Sequence, residues 1–213
     1  MTMQTEQLID MLARQSGPAP RAVVARRLWP AVLIGLLCSS ALALGLLGPL
    51  PAADLVAPVT GFKLGYALLL AVVAGVLTAR LARPIARLTL PRWLVVGVVG
   101  LVLWVGVVTL SLTPADARLD ALFGETWLKC PWTLMALSLP ALAGILFAVR
   151  GLAPTQPQQA GWASGLLAGS LGAMGYALHC PESSATFVAV WYTLGVILTA
   201  FIGRWLGPRV LRW

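Results

Sequence analysis

The chain has 213 residues, 59% of them hydrophobic and only 10% charged, with a net charge of +8. A soluble domain carries about 25% charged residues, so this composition excludes a water-soluble globule, which could not cover its own surface. Nor is the positive charge a nucleic-acid footprint, because the basic residues sit in short connectors between apolar blocks, where they orient helices in a bilayer.

Residues 1–27 form a polar segment of a different kind from residues 28–213, the membrane domain. Thr5 can cap a short helix reaching about Arg14. Glu6 and Asp10 then fall in its first turns, where the helix dipole favours negative charge. Leu8, Met11 and Leu12 share one face. The run Gln15-Ser16-Gly17-Pro18-Ala19-Pro20 ends the helix and acts as a tether. Such a helix is a frayed end, a segment lying on the bilayer, or a peptide that docks in a partner's groove through Leu8, Asp10, Met11 and Leu12. The residues leave these readings open.

Six apolar blocks follow, at 28–48, 64–81, 93–112, 133–149, 161–178 and 186–206. Each is long enough to cross a ~30 Å hydrocarbon core as a helix, and lipid requires backbone groups to be satisfied within the segment. The expected fold is an all-α bundle of about six transmembrane helices. The first block also has features of a signal peptide, with Arg26 and Arg27 before it and Pro51-Ala52-Ala53 after it. Its length and the 27 residues before it argue for a retained span. Alternate connectors collect twelve Lys and Arg residues on one side and three, Lys63, Arg118 and Lys129, on the other. The positive-inside rule makes the first side cytoplasmic, with both termini there. Trp191 and Tyr192, and at the opposite end Trp205 and Trp213, are expected in interfacial aromatic belts.

The cysteines carry the most information. Cys38 lies mid-span and reads as an inert buried thiol. Cys130 begins the fourth block and Cys180 follows the fifth, equidistant from residue 155 in the connector between them. Equal rise along both helices brings the two thiols to similar depth. Lys129 precedes Cys130, while His179 and Glu182 flank Cys180. A cation raises thiolate fraction, and thiolate, imidazole and carboxylate together suit a soft or borderline metal. Three readings stay open: a redox- or metal-responsive pair that binds a heavy-metal ion transiently, a stable disulfide, and two unlinked thiols. Gly161, Gly165 and Gly169 form a ridge at four-residue spacing, suited to close helix packing or to a helix that slides against its neighbour across the fourth–fifth seam. Pro140 is placed to kink the fourth span.

No ionisable residue lies mid-span, which counts against an ion pump. P-loop, HExxH and GxSxG signatures are absent, and no resident cofactor is implied. The expected role is therefore not enzymatic. A membrane thiol oxidoreductase and a small-solute transporter are the alternatives; the first needs a second close cysteine pair, which the sequence lacks.

The chain resembles the NrsF-like membrane anti-sigma factors, negative regulators of extracytoplasmic-function sigma factors. The resemblance is carried by Lys129-Cys130-Pro131, Leu137-Ser138-Leu139-Pro140, Arg150-Gly-Leu-Ala-Pro154, Ala160-Gly161, the run Gly172-Ala-Met-Gly-Tyr-Ala-Leu-His-Cys-Pro-Glu182, Trp191-Tyr192 and Gly207-Pro-Arg-Val-Leu-Arg-Trp213. Leu8-Ile-Asp-Met-Leu-Ala13 is similar too, whereas the first three spans match mainly in hydropathy. The resemblance implies a bacterial inner-membrane protein that holds such a sigma factor without touching nucleic acid. It further implies release under metal or oxidative stress, with Cys130 and Cys180 as the functional thiols.

Overall fold

The computed structural model describes residues 5–15, 22–83, 89–152 and 154–212. The tether at 16–20, the side chains of Glu6, Leu8 and Arg14, and Arg21, Arg87 and Trp213 lie outside the described residues. All regular structure among the described residues is helical. Helix α1 spans Thr5–Gln15, α2 Val23–Leu47, α3 Ala52–Leu55, α4 Pro58–Leu81, α5 Thr89–Leu112, α6 Arg118–Phe123, α7 Cys130–Arg150, α8 Pro157–Ala177 and α9 Ala185–Val210. Pro58, Pro131 and Pro157 each sit in the first turn of their helix, where the missing N–H costs no hydrogen bond.

Five helices, α2, α4, α5, α7 and α9, are long and apolar enough to cross a membrane. The fifth expected span is also a helix, α8, but it is not one of those five. Its 21 residues reach about 31 Å at 1.5 Å each. Gln158, Gln159, Ser164, Ser170 and five glycines make it less apolar. Its position explains the composition. Helix α8 is the buried centre of the bundle, packed against α2, α4, α7 and α9. Surrounding helices take the lipid contacts, so α8 needs small size more than apolarity.

The long helices alternate in direction, as contacts at the two ends of the bundle show. At one end Arg27 packs over Gly151, Arg92 bonds Gln159, and Gly207 meets the Pro157 carbonyl. At the other, Leu50 N–H donates to the Leu178 carbonyl at 3.0 Å, and Trp191 Nε1 donates to the Leu122 carbonyl at 2.8 Å. We call these the arginine end and the thiol end.

The glycine ridge has a different partner from the expected one. A Cβ on Gly161 would strike the Gly203 carbonyl, one on Gly165 would lie 2.6 Å from the Ala200 Cα, and one on Gly169 3.0 Å from the Val196 Cα. All three contacts are with α9. The α7 seam is served by Gly172, whose Cβ would come 3.1 Å from the Leu134 carbonyl, and the α2 seam by Gly175 against Ser39. Spacing gave the ridge but not the direction it faces, because a helix with glycines on several sides can turn any of them to a neighbour.

Two further expectations are corrected. Cys38 is exposed on the outer surface of the bundle, because the small residues Gly35 and Ser39, rather than Cys38, turn inward to the packed face of α2. Tyr192 is fully buried rather than interfacial, and Trp191 is half-buried and bonded to the α6 backbone. A π-helical turn at Val188–Tyr192 accompanies this inward position; such turns often mark functional sites.

Candidate functional site

Cys130 and Cys180 both lie at the thiol end, completely buried and unlinked. They are close enough to interact electrostatically. Local backbone structure holds each one. Cys130 opens α7, and its N–H donates to the Thr126 carbonyl at 2.8 Å. Cys180 lies just past α8, and its N–H donates to the Tyr176 carbonyl at 3.0 Å. A proline follows each cysteine, fixing the backbone as the chain enters or leaves the bundle.

Two tyrosines enclose the thiols. The Tyr176 hydroxyl lies between Cys130 and Thr126. The Tyr192 hydroxyl lies beside Cys180 but lacks hydrogen-bond geometry to any described group. Their rings pack 5.7 Å apart at 46°. Cys180 is the polar group nearest in effect to the buried Tyr192 hydroxyl.

A buried cation completes the cluster. Lys63 Nζ donates to the Cys180 carbonyl at 2.7 Å, and the side chain is only 1% exposed. Lys63 is also an electrostatic neighbour of Cys130. The sequence placed Lys63 in a connector. It belongs instead to the second turn of α4, which begins earlier than hydropathy indicates because Pro58 starts the helix. A lysine at the end of an apolar block looks like an interfacial anchor, and nothing in its spacing marks it as internal.

The expected auxiliary residues divide. Glu182 Oε1 accepts from the N–H groups of Glu125 and Thr126, both at 2.9 Å, and from Thr126 Oγ1 at 2.8 Å. Since Thr126 receives the Cys130 N–H, Glu182 holds the loop that positions Cys130. Gly124 makes room for it, with φ +53° and a Cβ position that would overlap the carboxylate. His179 Nδ1 bonds the Gly48 carbonyl at 2.9 Å, and its ring packs against Tyr176, with centroids 6.0 Å apart. Lys129 is exposed. Among the described residues no three His, Cys, Asp or Glu side chains converge as a metal site. On α1, at the other end of the sequence, Met11 and Leu12 are about half exposed, as is the neighbouring Ile9, while Asp10 is exposed too.

Residues 12–213 match the family model described as NrsF, negative regulator of sigma F. The chain belongs to the NrsF family. Two relatives, the probable anti-sigma-F factor NrsF of Azospira oryzae and the anti-sigma-F factor NrsF of Caulobacter vibrioides, are each 37% identical to it over 99% of this chain and 100% of their own length. No solved structure matches it. The NrsF match takes in every long helix and both cluster cysteines, but only the last residues of α1.

Proposed function

We propose that this NrsF-family chain is a membrane-embedded anti-sigma factor that sequesters an extracytoplasmic-function sigma factor and releases it when Cys130 and Cys180 react. The observation that carries sigma capture is likeness along the whole chain to two anti-sigma-F factors. In this reading the protein crosses the bacterial inner membrane six times, with α8 as the shielded fifth span. The arginine end faces the cytoplasm, in keeping with twelve basic residues there against three opposite. Helix α1 is the cytoplasmic amphipathic element, and Leu8, Asp10, Met11 and Leu12 contact the sigma factor.

The thiol end then faces outward. An oxidant such as hypochlorite takes two electrons from the pair, two protons leave, and an S–S bond forms. A soft metal ion instead displaces the two protons and is held by the two sulfurs. Either link draws the start of α7 toward the end of α8. Because α8 touches α2, α4, α7 and α9, movement of its end reaches the arginine end through rigid helices. Shifting a population from 1:99 to 99:1 takes about 5.5 kcal/mol of differential stabilisation, within reach of a covalent bridge.

The test is a detergent pull-down with the full chain. The cognate sigma factor should co-purify and leave on treatment with hypochlorite or cadmium, whereas Cys130→Ser and Cys180→Ser should retain it throughout. Absence of any sigma factor would end the capture reading. Normal release from both serine variants would leave capture intact and end the sensing reading.

A further inference from the structure

A second site lies at the arginine end, independent of the thiols. Helices α4, α5, α8 and α9 leave an open groove of about 700 Å³ between them. Its walls are apolar, formed by residues such as Leu81, Val99, Leu103, Leu166 and Phe201. Trp162 packs edge-on against Phe201, with centroids 4.9 Å apart, and closes one side. At the mouth stand Arg92, Arg204 and Gln159. Arg92 donates to the Gln159 side-chain oxygen. Neither guanidinium forms an ion pair with a carboxylate among the described residues, and no acidic side chain lines the groove.

Dimensions and charge identify an occupant. From Arg92 at the mouth to Leu103 at the deep end is eleven residues of one helix, or about 16 Å. That is half of a ~30 Å hydrocarbon core, the depth of one leaflet. A soluble anion would leave the apolar walls unused, and a neutral lipid would leave two arginines uncompensated. Basic pockets between transmembrane helices suit anionic headgroups.

We propose that this groove binds one anionic phospholipid, its phosphate between Arg92 and Arg204 and an acyl chain along α5 toward Leu103. The lipid joins α5 to the α8–α9 core, a seam bridged at this end by the Arg92–Gln159 bond. Exposed Arg92 and Arg204 bring the headgroup in, and Gln159 orients Arg92.

Full-length protein in neutral detergent should melt at a higher temperature with phosphatidylglycerol than with phosphatidylcholine of the same chains, and native mass spectrometry should show one retained phosphatidylglycerol. Arg92→Gln with Arg204→Gln should remove the difference between the two lipids, whereas Arg150→Gln, outside the groove, should keep it. Gly100→Leu gives a second route that leaves the charges intact. Gly100 lines the groove and has no heavy atom within 4 Å of its Cβ position, so leucine there fills the groove and should lower lipid retention at least tenfold without unfolding the chain. Equal stabilisation by phosphatidylcholine, an equal shift from glycerol phosphate, or undiminished phosphatidylglycerol binding by Gly100→Leu would overturn the proposal. So would loss of sigma-factor binding from the arginine variants in lipid-free detergent, which would make the groove a protein-docking surface.

Discussion

Glu182→Gln should open the thiol cluster without unfolding the bundle. In the native chain one carboxylate oxygen receives two backbone N–H groups and the Thr126 hydroxyl, at 2.8–2.9 Å. Bonds to a charged acceptor are roughly twice as strong as neutral ones, so the amide weakens each by about 1 kcal/mol. Glu182 is only partly buried, and competing water reduces the sum from about 3 to about 1.5 kcal/mol. That corresponds to a roughly tenfold rise in the open population. Since Cys130 and Cys180 are wholly buried, a reagent reaches them only through opening. Maleimide labelling of the two thiols in membrane vesicles should therefore quicken about tenfold in Glu182→Gln, while the melting temperature of the extracted protein falls by only about 3–6 °C. Glu125→Gln should label at the native rate, because Glu125 contributes only its backbone N–H. Labelling of Glu182→Gln within twofold of native would refute the latch.

Lys63→Met removes the donor to the Cys180 carbonyl, a loss of about 1.5–3 kcal/mol. It also abolishes an ammonium burial costing several kcal/mol. Thermal melts should thus show little net change, while the rate of disulfide formation between Cys130 and Cys180 should change several-fold by quantitative thiol trapping. Gly165→Leu places a side chain where the Ala200 Cα now sits 2.6 Å from the Cβ position; the backbones must part, lowering stability by 3 kcal/mol or more on the order of core overpacking, with loss of monodisperse protein on size exclusion. Met11→Asp with Leu12→Asp puts charge on two exposed apolar residues of α1. Sigma-factor binding should fall at least tenfold, while the melting temperature stays unchanged.

Much of the helical architecture was legible in the chain, because lipid imposes long apolar runs and the basic residues fall in the connectors between them. The boundaries were short by several residues wherever a proline or basic residue began a helix, as at Pro58 and Cys130–Pro131. Both residues of the thiol pair were legible as well, since equal spacing about residue 155 fixes equal depth in a hairpin. What surrounds them was not. Tyr176 carries no signal of its own within the run 172–182, and Tyr192 reads as part of an interfacial belt, yet both lie beside the sulfurs. Lys63 is 117 residues from the carbonyl it bonds, a contact with no local signature.

The sequence by itself determined a helical, membrane-embedded chain with two cysteines at matching depth, because hydrophobic length and helical rise are local quantities. Only the tertiary structure decided which way each helix face turns. It sent the glycine ridge to α9, Cys38 to the surface, His179 to a loop carbonyl and Lys63 into the cluster. Rotation of a helix about its axis costs little within one span; it is fixed by packing against neighbours that are distant in sequence.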